Sequence, residues 1–269
     1  MSSPLRDRLN AGGVSVEPWS GDCVGLPNAF LRCALFASIP DGAENKSRVF
    51  HESRYVIGLK KTTVVHSGPQ LCQGDLDLWM ALLTLLHRSP FGEVVRCRLS
   101  NVLHAQGLTD TGKNRTKTWA RLTRLCQTNL SVTGDGFRFV GNLVHSAEID
   151  DSGALVVRLD PKLATMFFSG RFTLLDSRIR LELRGQPLAG WLYGFYLSHR
   201  DPYTLKVDTV RALSGSTVAS RDKFCQQLRG ALGRVQKAAE KHARYCQFEV
   251  IGGARGRVNF VWLKSRSSR

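Results

Sequence analysis

The 269-residue chain lacks any apolar stretch long enough for a membrane. Its longest run, Leu78–Leu86, falls far short of the ~20 residues that span a bilayer. No apolar segment follows the first charges of Met1-Ser2-Ser3-Pro4-Leu5-Arg6-Asp7, so no export signal is expected. The seven cysteines are odd in number and form no Cys-x-x-Cys pair. That argues against a disulfide framework or a structural zinc site, and for reduced, mostly buried thiols of a cytoplasmic protein. Carboxylates are sparse: Asp75-x-Asp77 and Asp150-Asp151 are the close pairs. A helix cap and a turn account for them without invoking a metal-dependent nuclease. The seven histidines are dispersed and read as surface or core residues.

What is abundant is positive charge. Lys and Arg number 38 against 22 Asp and Glu, a formal charge of +16. Fifteen basic and five acidic residues lie between Arg200 and Arg269, so more than half the excess sits in the last quarter. Such an imbalance repels itself in the compact state and points to an anionic partner, with nucleic acid favoured once membrane insertion is set aside. The 42% hydrophobic content is ample for a core and rules out wholesale disorder.

Residues 1–24, rich in Gly, Ser and Pro without a period, read as a flexible N-terminal arm. Leu26–Phe36 is a short helix or docking segment, and Arg54–Ile57 with Thr62–Val65 predict a hairpin. Asp75–Arg88, capped by Asp75 and ended by Ser89-Pro90, is apolar on nearly every side and so buried. A strand at Val94–Leu99, a short helix at Ser100–Ala105 and a second helix from Lys113 to Gln127 follow. At ~100° per residue, Trp119, Leu122 and Cys126 share one side of that helix. Asn114, Lys117, Arg121 and Arg124 share the other. Leu130–Thr133 and Gly136–Val140, joined by Gly134-Asp135-Gly136, predict the hairpin that follows.

The same order recurs after Pro161. An aromatic helix (Gln186–Ser198) precedes a short helix (Asp208–Leu213), a turn at Ser214-Gly215-Ser216, and a long helix from Thr217. Phe224, Leu228, Ala231 and Val235 form the apolar stripe of that helix, and Gly230 and Gly233 mark a bend or an early end. Strands Gln247–Ile251 and Val258–Leu263 close the unit around a Gly-rich hairpin carrying Arg255 and Arg257. The expected fold is therefore α+β: two tandem winged-helix domains, residues 25–160 with the leading segment and residues 161–269, preceded by the arm.

Enzymatic readings fare poorly. Gly107-Leu108-Thr109-Asp110-Thr111-Gly112-Lys113-Asn114 matches a phosphate loop except at its last position, where Asn114 replaces the Mg²⁺-ligating hydroxyl. It also follows a helix rather than a strand, so a turn between helices is the simpler reading. A tyrosine recombinase using Tyr203 or Tyr245 lacks a spaced His-x-x-Arg set. DNA binding remains. Lys223, Gln226 and Arg229 lie off the apolar stripe of the long helix, suited to base edges. Ser216, Arg221, Arg255 and Arg257 suit phosphates, and Lys117, Arg121 and Arg124 are a second, weaker set.

Leu26-Pro27-Asn28 with Ala34-Leu35-Phe36, the block Ser198-His199-Arg200-Asp201-Pro202-Tyr203-Thr204-Leu205-Lys206, Thr209-x-Arg211 and Gly215-Ser216 resemble the TrfA replication initiators of broad-host-range plasmids. The resemblance runs discontinuously from about Gly25 to Leu263. It implies binding of repeated origin sequences (iterons) in duplex DNA and opening of an adjacent AT-rich region, with single-stranded DNA exposed there. It also implies recruitment of the host initiator DnaA, the replicative helicase and the sliding clamp, with a homodimer as one form and no catalytic residues or cofactor. A winged-helix transcriptional repressor without initiator activity shares the fold and the DNA chemistry, and stays open as the alternative.

Overall fold

The structure is a computed structural model, and it describes residues 19, 22–40, 50–59, 62–86, 89, 91–134, 137–167, 171–251 and 257–263. The chain enters as β1 (Cys23–Pro27), one turn of helix α1 (Asn28–Leu31) and β2 (Phe36–Ala37). A hairpin of β3 (Phe50–Tyr55) and β4 (Thr63–Pro69) follows, as the sequence predicts, and then β5 (Leu71–Cys72), parallel to β2. Helix α2 (Gln73–Leu86) is buried along nearly its whole length. Asp75 does not cap it from outside. It lies in the first turn, where its carboxylate accepts from Cys72 N–H at 2.8 Å, the return half of a capping box.

Strand β6 (Val94–Arg98), α3 (Leu99–Ala105) and α4 (Gly112–Gln127) come next, close to their expected limits. Thr111 caps α4 by accepting from Asn114 N–H. Four strands follow: β7 (Asn129–Gly134), β8 (Phe137–Asn142), β9 (Ser146–Ile149) and β10 (Ala154–Arg158). The hairpin that the sequence offers after α4, β7–β8, forms but joins β4, completing a sheet ordered β3-β4-β7-β8. Its Asp135 and Gly136 lie outside the described residues. The hairpin that closes on β6 is β9–β10, in the order β6-β10-β9. Asp150 shapes its turn by accepting from Ser152 N–H, Ser152 Oγ–H and Ala154 N–H.

A 3₁₀ turn (Pro161–Phe167) leads to β11 (Phe172–Asp176) and to α5 (Ser177–Glu182), a helix capped by Asp176 and not anticipated from the sequence. Helix α6 (Pro187–Leu197) starts with Pro at its first turn, where no donor is lost. Then come β12 (Leu205–Lys206), α7 (Val207–Leu213), α8 (Arg221–Lys241), β13 (Tyr245–Ile251) and β14 (Arg257–Leu263). The last sheet is ordered β12-β14-β13, the arrangement already met in β6-β10-β9. Helix α8 runs unbroken past Gly230 and Gly233, so neither ends it.

One continuous apolar core joins both halves. Trp79 of α2 packs edge-on against Phe30 at 5.5 Å, and Trp191 stacks on Phe195 within α6 at 4.6 Å. Residues Ala189–Tyr196 of α6 are all buried, so this helix is the pillar between α2 and α8. The leading segment bridges the halves: Trp191 Nε1–H donates to Cys33 O at 3.2 Å, and Ser38 N–H to Ser214 O at 2.7 Å. The expected arm ends earlier than residue 24, because Cys23 and Val24 belong to β1 and pair with Asp176 and Leu175 of β11. Residues 1–18, 20 and 21 lie outside the described residues. His51 and His66 are not dispersed either: β3 and β4 bring their rings to 5.6 Å.

Candidate nucleic-acid interface

Ser220 caps α8 by accepting from Lys223 N–H. The apolar stripe of the helix, with Phe224, Leu228, Ala231 and Val235 buried, turns Lys223, Gln226 and Arg229 to solvent, the face the sequence assigns them. Arg221 is half-buried and pairs with Asp208 at 3.1 Å, which ties the start of α8 to α7. Ser216 follows Gly215, whose φ of +61° makes the turn between those helices, and Ser216 Oγ accepts from Val218 N–H at 3.4 Å. Arg257 opens β14, opposite Lys206 and Ile251 in register. Arg255 lies outside the described residues.

The equivalent helix of the first half, α4, is rotated from its expected orientation. Arg124 and Arg121, expected on its exposed side, are buried, with 8% and 5% exposure. Arg124 Nη2–H and Nε–H donate to Asp75 Oδ1 at 2.7 and 3.0 Å, and Arg121 Nη1–H donates to Gln106 Oε1 at 3.1 Å. These contacts fasten α4 to α2 and α3. Trp119, expected in the core, is 38% exposed instead. The face toward solvent comprises Thr116, Trp119, Ala120 and Thr123, edged by Lys113 and Arg115, with Gln127 at its end.

The near-match to a phosphate loop is a turn between helices. Gly107, with φ +65°, ends α3, and Asn114 Nδ2–H donates to Thr109 O at 2.9 Å within the loop. No strand leads into it; α3 does.

Two clefts bring the candidate residues of the halves side by side. One, of about 230 Å³, is lined by Asn114, Lys117 and Arg121 of α4 and by Arg180 and Arg184 across from them. The other, of about 470 Å³, is lined by Ser216 with Gln226 and Arg234 of α8. Gln186 and Pro187, at the start of α6, line both, so the clefts meet there. Asp77 is the one carboxylate among their described lining residues, and it accepts from Arg180 Nε–H at 2.6 Å. Arg121 and Arg180 are buried, bonded to Gln106 and Asp77, so the cations these clefts leave toward solvent are Lys117, Arg184 and Arg234. Sequence patterns miss Arg180, Arg184 and Arg234, because their placement is tertiary, as where Arg180 meets Asp77 of α2 and Arg184 donates to Gly107 O.

The Ser198–Tyr203 block is structural at its start. Ser198 Oγ accepts from Arg32 Nε–H at 3.1 Å, tying the block to the leading segment. His199 packs on Phe195 at 4.6 Å, and its pKa lies below the usual value, first because burial disfavours charge and also because Arg32 is near. Tyr203 is 48% exposed and packs edge-on against His199. Among the described residues no cluster of three or more His, Cys, Asp or Glu is arranged to hold a metal ion, and no helix is long and apolar enough to cross a membrane.

The fold is similar to domains 2 and 3 of RctB. One crystal structure of those domains covers 87% of this chain and 98% of its own, with TM-score 0.59 and 14% identity. A second covers 86% and 95%, with TM-score 0.51 and 11% identity. The family model for the TrfA protein matches residues 8–246, and the chain belongs to the TrfA family. A relative within reach by sequence is the plasmid replication initiator protein TrfA of Escherichia coli, 27% identical over 241 residues, which cover 83% of this chain. The match spans 61% of that relative's length.

Proposed function

We propose that the chain is a plasmid replication initiator that binds repeated origin sequences in duplex DNA through two winged-helix units. The observation that carries this reading is the pair of abutting clefts flanked by α4 and α8, where Lys117, Arg184 and Arg234 reach solvent, on a chain of the TrfA family. Helix, strand, helix, helix and hairpin, with the final strand in the middle of its sheet, is the winged-helix arrangement. It describes α2 to β10, with β7–β8 inserted, and α6 to β14. The units correspond to residues 25–160 and 161–269, with the leading segment shared between them.

In this reading Lys223, Gln226 and Arg229 reach base edges from α8. Ser216, Arg221, Arg255 and Arg257 hold phosphates, as does Lys117 at the rim of the first cleft. Arg121 and Arg124 are left out of the contact set because the core occupies them. Binding strains an adjacent AT-rich region, where single-stranded DNA becomes a second ligand. The host initiator DnaA, the replicative helicase and the sliding clamp are recruited there, and a homodimer is a further state of the chain. The chain acts by binding, in the cytoplasm, without a catalytic centre of its own.

Footprinting on the native plasmid origin, combined with a plasmid-maintenance assay, tests the reading. Protection of regularly spaced repeats together with maintenance is the expected result. Protection without maintenance makes the chain a repressor. Nicks, covalent adducts or phosphate release with Mg²⁺ and ATP would make it an enzyme.

A further inference from the structure

The cleft of about 230 Å³ beside α4 has buried polar atoms in its lining residues that the fold leaves unmet. Arg180 supplies one of them. Its side chain is 7% exposed, its Nε–H donates to Asp77 Oδ1 at 2.6 Å, and its Nη2–H donates to Gln73 O at 3.2 Å. Its Nη1 is buried and has no acceptor among the described residues. Gly190, which lines the same cleft, leaves room for that nitrogen, since a Cβ there would come within 2.5 Å of it. Gln73 supplies the other. Its Nε2–H donates to Phe36 O at 2.5 Å, while its buried Oε1 has no donor among the described residues. Buried donors and acceptors are normally paired, and leaving either unmet costs free energy.

The surrounding charge selects an anion. Lys117, Arg121, Arg180 and Arg184 line the cleft against one carboxylate, Asp77, which Arg180 already holds. Lys117 is half-buried on α4, and Arg184 is exposed, donating from Nη1 to the carbonyls of Gln106 and Gly107. A buried guanidinium with further cations around it suits a phosphate group. A duplex cannot deliver one to Arg180, because each of its phosphates is esterified to sugars on both sides. A small ligand can. Gln73 requires that the ligand bring a donor as well. Inorganic phosphate keeps a proton at neutral pH, and a nucleotide brings its ribose hydroxyls.

We propose that this cleft binds the phosphate group of a small ligand, with Arg180 and Gln73 as its floor and Lys117 and Arg184 as its rim. Occupancy joins α4 of the first unit to the turn between α5 and α6 in the second, and so fastens the units together.

The test uses the full chain without DNA, at constant ionic strength. Inorganic phosphate, AMP and sulfate are titrated in turn by calorimetry and by the shift in Tm. Phosphate or AMP should bind saturably and raise Tm with concentration. Tighter binding of AMP makes a nucleotide the source of the phosphate group, tighter binding of phosphate makes it the free ion, and either supports the site. Sulfate has no proton to donate at neutral pH, and should bind ~10-fold more weakly than the tighter of the two. Lys117→Gln and Arg184→Gln should each weaken binding about tenfold, the scale of one hydrogen bond to a charged group. Arg180→Lys keeps a cation for Asp77 but removes Nη1, and should abolish binding; where that variant fails to fold, the rim pair decides. Arg138→Gln, which removes an exposed cation of β8, should change nothing. Absence of saturable binding by both phosphate and AMP overturns the proposal. So does binding that survives both rim variants unchanged, binding that Arg138→Gln weakens as much as they do, or sulfate binding that is equally tight.

Discussion

Helix α8 turns Lys223, Gln226 and Arg229 outward, whereas α4, its counterpart in the first unit, turns out Thr116, Trp119, Ala120 and Thr123 and buries Arg121 and Arg124. The two have similar amphipathic patterns and each follows a strand and a short helix, yet their cations serve different ends. In α4 the guanidinium of Arg124 neutralises a carboxylate that is wholly inaccessible, Asp75. In α8 Arg221 and Lys241 pair with Asp208 and Glu182, while Lys223, Arg229, Arg234 and Lys237 face solvent. Positive charge on a helix therefore says little about DNA until its partners in the fold are counted. The first unit uses charge to hold itself together, and the second displays it.

The largest effect that sharpens this contrast is ionic. If ~6–10 phosphates are neutralised, affinity should fall ~10³–10⁵-fold between 50 and 200 mM salt. Replacing Arg229, Arg234 and Lys237 by Gln should flatten the slope by ~1 for each phosphate no longer neutralised, while Lys113→Gln on α4 should barely change it. Titrations by fluorescence anisotropy at several salt concentrations read this directly. A slope that follows Lys113 instead would break the comparison.

Stability should show the reverse. Arg124→Ala strands the buried Asp75 carboxylate, and removing one member of a buried pair costs ~3–5 kcal/mol. Arg229→Ala, on an exposed face, should stay within ~0.5 kcal/mol of wild type. Urea unfolding of both variants separates them. An Arg124→Ala protein of wild-type stability but weakened DNA binding would return Arg124 to the interface.

Acid should also find the first unit before the second. His66 is fully buried between β3 and β7, and neither ring nitrogen has a hydrogen-bond partner among the described residues. Burial, then Arg54 and His51, push its pKa down to about 4. The folded state thus keeps the ring neutral while the unfolded chain takes up a proton near pH ~6.5. Stability is complete above that pH and declines as pH falls toward the folded value, by ~3 kcal/mol in all. His66→Phe should remove most of the dependence. Hydrogen exchange should place the early opening in the β3-β4-β7-β8 sheet.

These contrasts also mark what was legible in the sequence. The outward face of α8 was readable because Phe224, Leu228, Ala231 and Val235 repeat with helical spacing and nothing polar interrupts them. That of α4 was not. Trp119 counts as apolar although it faces solvent, and the partner of Arg124 stands 49 residues away on α2. The β7–β8 hairpin was found from its turn, but its place was not, because strand β4, which receives it, lies far upstream and carries no mark of the pairing. The meeting of the clefts at Gln186 and Pro187 is a tertiary fact that no local pattern encodes.

Specificity should divide as the faces do. Gln226→Ala or Arg229→Ala should cost ~1–3 kcal/mol on the cognate repeat and relax one base position each. Arg257→Ala should weaken cognate and scrambled DNA about equally, because phosphate contacts position without specifying. Competition binding against scrambled repeats measures all three. Loss of discrimination in Arg257→Ala, with none in the α8 variants, would exchange the roles of helix and hairpin.

The smallest effect concerns two glycines on α8. Gly230 and Gly233 lie on its outer side, and a Cβ at Gly233 would meet nothing within 4 Å, while at Gly230 it would touch only the end of Arg234 at 3.5 Å. The fold itself therefore has no use for glycine there, and each costs ~1 kcal/mol against alanine inside a helix. Gly233→Ala should raise stability by about that amount, read as a higher urea midpoint with an unchanged slope. The added methyl stands on the same side as Gln226, where a duplex would lie closest. DNA affinity should accordingly fall, most on the cognate sequence, because a helix kept bare can sit deeper in the groove. A variant that is more stable and binds equally well would mean that α8 does not approach the bases at its middle. The hydrogen-bonding contacts would then be confined to its first turns, around Lys223 and Gln226, and the contrast with the apolar middle of α4 would narrow to the helix ends.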